Sequence, residues 1–244
     1  MIISFSGIDC CGKSSQIQLL VEYFREHGER PMHFWRKSPF EPRARATYVW
    51  IRGGYTPLFS AVKRMWRRLL PEVVPSARTS DAREKLMSKK FWRRLWLHIA
   101  IFDLFFECVV RVRFYNLLGA AVVSDRYWWD SEVDFRVNFP CEEFWNWLSW
   151  KLLKSCAAVP DNSFLIQVPL EESLRRSELK REPFPDTPEK RAARCGLYQT
   201  MWRERSFDLL DGTLPLSDLH AQVVRKVTGF TSARGHALRG LKAP

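Results

Sequence analysis

Gly7-Ile8-Asp9-Cys10-Cys11-Gly12-Lys13-Ser14 is the feature that most narrows what this chain can become. The spacing fits G-x-x-x-x-G-K-[ST], in which glycines let the backbone turn so that successive N–H groups converge on phosphate oxygens. An apolar run, Ile2-Ile3-Ser4-Phe5, precedes the loop. Behind it, Ile17, Leu20, Val21 and Phe24 recur at helical spacing between Ser14 and His27. Strand, tight loop and helix in that order aim the positive end of a helix dipole at an anion. In this context Lys13 would neutralise the β- and γ-phosphates of ATP, and the Ser14 hydroxyl would serve Mg²⁺. Gly7, Cys10, Cys11, Gly12, Lys13, Ser14 and Ser15 are therefore the predicted ATP-binding residues.

The rest of the chain alternates in the same way. Strands are predicted over 2–6, 31–35, 46–51, 120–124 and 164–168, and helices over 58–70, 83–118 (one or two), 142–157, 171–180, 188–208 and 220–228. Strands separated by helices imply an α/β fold, with about five parallel strands joined by right-handed crossovers. Residues 1–230 read as one domain, with 231–244 as a basic, mobile tail.

Charge narrows the partners without choosing one. The 39 Lys and Arg against 27 Asp and Glu give a net charge of +12, which suits nucleotide, nucleic acid or an anionic membrane surface. The six cysteines contain no C-x-x-C pair and the five histidines show no ligand spacing, so a zinc site is not expected. No apolar stretch reaches the ~20 residues of a membrane span. The expectation is a reduced, cytoplasmic protein.

The opening Ile3-Ser4-Phe5-Ser6-Gly7-Ile8-Asp9-Cys10-Cys11-Gly12-Lys13-Ser14-Ser15-Gln16 resembles that of thymidylate kinases, close to F-x-G-x-D-G-x-G-K-S-T-Q. Val122-Val123-Ser124-Asp125-Arg126-Tyr127 resembles the Asp-Arg-Tyr motif of that family, and Leu174-Arg175-Arg176 with Lys180-Arg181-Glu182-Pro183 its lid, over about 170–188. Arg52-Gly53-Gly54-Tyr55-Thr56-Pro57-Leu58 is a looser echo of its Arg-Glu-Pro-Gly-Gly-Thr-Pro-Leu segment. The resemblance implies a P-loop kinase that moves the γ-phosphate of MgATP to a small acceptor, with dTMP first. It gives Asp9 an acceptor-facing role and makes Arg126 a bridge between donor and acceptor phosphates. It gives Asp125 a share of Mg²⁺, and Arg175, Arg176, Lys180 and Arg181 the lid charge. Arg52 would meet the acceptor's phosphate, and Asp211, in Asp211-Gly212-Thr213, would lie beside the adenine ring. A homodimer through the apolar Phe102–Val112 face is also implied.

The departures concern the acceptor. Where the family reads thymine with D-R-x-Q, this chain has Asp103-Leu104-Phe105-Phe106, which keeps the acid and replaces the other readers with apolar groups. Tyr127 and Asp130 join the substrate-binding candidates, with Asp130 and Asp134 four apart on one helical face. Asp130 would be the base if the acceptor were a hydroxyl of a sugar or lipid-linked glycan. Phe91-Trp92-Arg93-Arg94-Leu95-Trp96 suits either core packing or a peripheral membrane contact. A nucleic-acid partner is not expected, and a nucleotide-binding regulator without turnover is the remaining alternative.

Overall fold

Ile2–Ser6 (β1) is buried at all five positions because it runs through the middle of a sheet that has six strands among the described residues. In the computed structural model, residues 1–27, 31–36, 52–53, 88–180 and 186–240 are described. The other strands are Pro31–Arg36 (β2), Arg52–Gly53 (β3), Ala121–Asp125 (β4), Asn162–Gln167 (β5) and Asp208–Asp211 (β6). Every pairing is parallel, in the order β3-β2-β4-β1-β5-β6. The register sets Phe5 beside Asp125, and Gln167 beside Asp211. The phosphate loop and the Asp125-Arg126 turn thus leave the same edge of the sheet, the carboxyl edge where open α/β sheets place their sites.

Helices cover the sheet. Lys13–Glu26 (α1) follows the loop directly, and Ile17, Leu20, Val21 and Phe24 are its buried face. Lys90–Phe105 (α2) passes through a π-helical segment, Phe106–Arg111, into Val112–Leu117 (α3). The wider π turn has a local use. The Cys108 carbonyl accepts hydrogen bonds from the Ala158 N–H at 3.2 Å and the Tyr127 hydroxyl at 3.4 Å. Trp128–Asn138 (α4) and Leu148–Cys156 (α5) meet through Phe135, Phe144 and Trp150. Their rings are edge to face, with centroids 5.5 Å apart for Phe135–Phe144 and 4.9 Å for Phe144–Trp150. Leu170–Lys180 (α6), Pro188–Glu204 (α7) and Leu216–Gly240 (α8) are the remaining helices among the described residues.

The α/β class holds, with boundary corrections. The helix predicted to run on to 208 ends at Glu204, and the unpredicted edge strand β6 follows from Asp208. Residues 144–146 form a separate 3₁₀ turn before α5. The last helix begins at Leu216 and runs to Gly240, longer than the predicted 220–228. The predicted elements over 46–51 and 58–70 lie outside the described residues.

Candidate active site

The loop between β1 and α1 depends on two glycines. Gly7 has φ 138°, and a Cβ there would come within 2.4 Å of the Ile166 carbonyl oxygen on β5. Gly12, at φ 101°, caps α1 in the left-handed region. Lys13 is buried, and its ammonium donates to the carbonyls of Gly7 at 2.8 Å and Ile8 at 2.6 Å, so it lies over the loop's own concavity. The fully buried Cys11 sulfur is 3.5 Å from the same ammonium. Ser14 and Ser15 are exposed at the start of α1.

Across the loop stands the Asp125-Arg126 turn. The Arg126 N–H donates to the Phe5 carbonyl at 2.9 Å, tying the turn to the end of β1. Arg126 has φ 73°, an uncommon conformation for a residue with a Cβ. Its guanidinium pairs with Asp9 of the phosphate loop and lies 3.8 Å from Asp134 of α4. Burial raises the pKa of Asp9, but the charges of Arg126, Lys13, Arg194 and Arg191 outweigh it and lower the group to about 2. Asp9 is therefore an anion with an assigned partner. Asp125 is buried, and among the described residues its Oδ1 has no hydrogen-bond partner. A carboxylate oxygen and a serine hydroxyl are the kind of hard oxygen ligands a divalent cation takes.

The structure adds two arginines that sequence reasoning missed. Arg194 of α7 pairs with Asp134 and, at 2.7 Å, with Asp186. The result is one alternating chain of charge, Asp9, Arg126, Asp134, Arg194 and Asp186, from the loop to the start of α7. Arg191, one turn earlier, is 1% exposed and donates to the Ser173 carbonyl and hydroxyl at 2.8 and 2.9 Å. The Ser173 hydroxyl donates to the Asp9 carbonyl at 2.8 Å. Arg191, Arg194, Tyr198 and Met201 form the buried face of α7, at a 3-4-3 spacing that was the available signal.

Other expected residues fall elsewhere. Asp130 is fully buried and accepts from the Ser6 hydroxyl at 2.8 Å, the Tyr127 N–H at 2.7 Å and the Tyr198 hydroxyl at 2.6 Å. Burial holds its pKa above the ordinary value even with these donors and Arg126 nearby. Fully buried and held by three core donors, it is not presented to an incoming hydroxyl. Tyr127 is also buried, with its hydroxyl donating to the Ala158 carbonyl at 2.6 Å, and is not presented to an acceptor. Arg176 donates to Glu172 at 2.6 Å and to the Gly212 carbonyl at 3.1 Å; Arg175 also holds Glu172. These links fasten α6 to the loop after β6. Asp211 accepts from the N–H and hydroxyl of Thr213 at 2.9 and 2.7 Å, closing its own turn. Asp103 is half-buried on α2, Leu104 belongs to the core and Phe106 is exposed. For Arg52 only the backbone of β3 is described, and Arg181 lies outside the described residues.

Loop, sheet order and carboxyl-edge arginine define a P-loop protein with the fold of the nucleoside kinases. In sequence the chain is 26% identical over 242 residues to the thymidylate kinase of Fervidobacterium nodosum, an alignment covering 94% of this chain and 100% of that protein. In structure it is similar to the deoxyadenosine kinase from M. mycoides with bound dATP, at a TM-score of 0.52 and 14% identity, covering 93% of this chain and 100% of the other. No protein-family model matches the chain. Among the described residues, no helix is long and apolar enough to cross a membrane.

Proposed function

We propose that this protein transfers the γ-phosphoryl group of MgATP to a nucleoside monophosphate, with dTMP the leading acceptor. The observation that carries the reading is the Asp9–Arg126 pair spanning the phosphate loop and the end of β4. It supports a role for this guanidinium between donor and acceptor phosphates, since it stands beside the loop carboxylate. Lys13, released from the Gly7 and Ile8 carbonyls by incoming phosphates, would take charge on the β- and γ-oxygens. Arg126 would spread the charge that develops during in-line transfer. Ser14 and the free oxygen of Asp125 are the residues that would hold Mg²⁺, which would neutralise phosphate charge when bound.

A phosphate acceptor suits the site better than a hydroxyl. A hydroxyl needs a base near neutrality. Asp9 is held to about 2, Asp130 is sealed in the core, and Asp134 faces the guanidiniums of Arg126 and Arg194, so none of these three suits that task. A phosphate oxygen is already nucleophilic. The test is ADP production from MgATP with dTMP, dUMP, thymidine, deoxyadenosine or no acceptor, using Lys13→Ala as the blank. Turnover that requires a monophosphate supports the reading. Turnover with the nucleosides instead overturns the acceptor class, and ATP binding without turnover leaves a nucleotide-binding regulator.

A further inference from the structure

We propose that Ser173 is a positioning residue that locks the Asp9–Cys10 peptide of the phosphate loop, with Arg191 as its buried anchor. The inference rests on the loop binding ATP phosphates, as proposed above.

Cys10 has φ 61°, a left-handed conformation that a residue with a Cβ adopts only under outside constraint. The constraint lies one atom group away. Ser173, fully buried on α6, donates its hydroxyl to the Asp9 carbonyl at 2.8 Å. C=O and N–H of a trans peptide point in opposite directions. Pulling the Asp9 carbonyl toward α6 therefore turns the Cys10 N–H away from α6, and the latch assigns that N–H to the phosphate oxygens.

The latch is itself held. Arg191 donates to both the carbonyl and the hydroxyl oxygen of Ser173 and, at 3.1 Å, to the Ser177 hydroxyl. With its oxygen accepting from a guanidinium, the Ser173 hydroxyl has its proton directed at Asp9, and such chained hydrogen bonds strengthen one another. Losing Ser173 would let Cys10 relax to negative φ and swing its N–H out of the anion cradle. Glycine at position 10 would have no strain to release, so the latch would matter little there.

The experiment measures the dissociation constant for MgATP by titration calorimetry on four folded proteins: wild type, Ser173→Ala, Cys10→Gly and the double variant. Ser173→Ala should bind about tenfold more weakly, the usual worth of one well-placed hydrogen bond. In the Cys10→Gly background the same change should cost less than about threefold, a coupling that general loosening would not produce. An equal loss in both backgrounds, or no loss in either, overturns the latch. Failure of the wild type to bind MgATP overturns the phosphate-loop reading and the latch with it. If Ser173→Ala does not fold, Ser173→Cys, close in size with a weak donor, replaces it with the same coupling expected.

Discussion

Three aspartates near the loop have the same side chain and different physical roles. Asp9 keeps its charge because Arg126 faces it; Asp134 shares two guanidiniums; Asp130 meets only neutral donors and Arg126 at longer range. The folded pKa of Asp9, about 2, is below its unfolded value of 3.8. Its stabilisation is thus complete above roughly pH 4 and is lost as the pH falls through 2. Urea unfolding of wild type and Asp9→Asn should show the variant less stable at pH 5 and the two converging toward pH 2; a gap that does not change with pH would refute the assignment. For Asp130, replacement by Asn puts an NH₂ against donors. Asp130→Asn should lower the melting temperature by roughly 4–8 °C, for about 2 kcal/mol in a chain of this length. The turnover of the folded fraction should stay within a few-fold. Unchanged melting with lost turnover would restore Asp130 as a base.

At the scale of elements, much was legible and the misses have causes. β1, the loop and α1 could be read because an apolar run, two obligatory glycines and a helical period sit in unbroken succession. β6 could not: it has four residues on the sheet edge, only Leu210 is buried, and the Phe207–Asp211 stretch gives no alternation. The loop and Arg126 of the site were legible because each follows a strand. Arg191 and Arg194 were hidden because arginine in a helix normally marks the wet face, and only their spacing with Tyr198 and Met201 shows these two pointing inward. Tyr127 and Asp130 misled for the opposite reason, since proximity in sequence to Arg126 says nothing about which way a helix start turns its side chains. Arg194 carries a prediction for α7 as a unit. Arg194→Ala leaves Asp134 facing Arg126 alone and frees Asp186, so α7 loses its ionic tie to the loop and keeps only the Arg191–Ser173 link. Turnover should fall about 10–100-fold, the cost of misplacing a group that is otherwise intact. MgATP affinity should change little. Full activity in steady-state assays would show the charge chain to be inert.

For the whole molecule, the outer surface is as informative as the site. Phe102, Phe106, Val110 and Phe114 are all exposed and recur every four residues along α2, the π segment and α3, and Leu117 extends the row. Leu148 and Leu152 are also exposed, on α5, which packs beside α2. An exposed apolar row of this kind would suit a contact with another surface. A row with four-residue spacing is also the ridge that two copies of one helix interlock when they cross. A two-fold axis through it would bury the same patch on both subunits, so a second copy is the occupant that needs no further surface. The expectation is a dimer in light scattering at micromolar concentration. Val110→Glu with Phe114→Glu should convert it to a monomer that still binds MgATP, because neither side chain belongs to the loop or its charge chain. A wild type that is monomeric, or a dimer indifferent to both glutamates, would refute this packing.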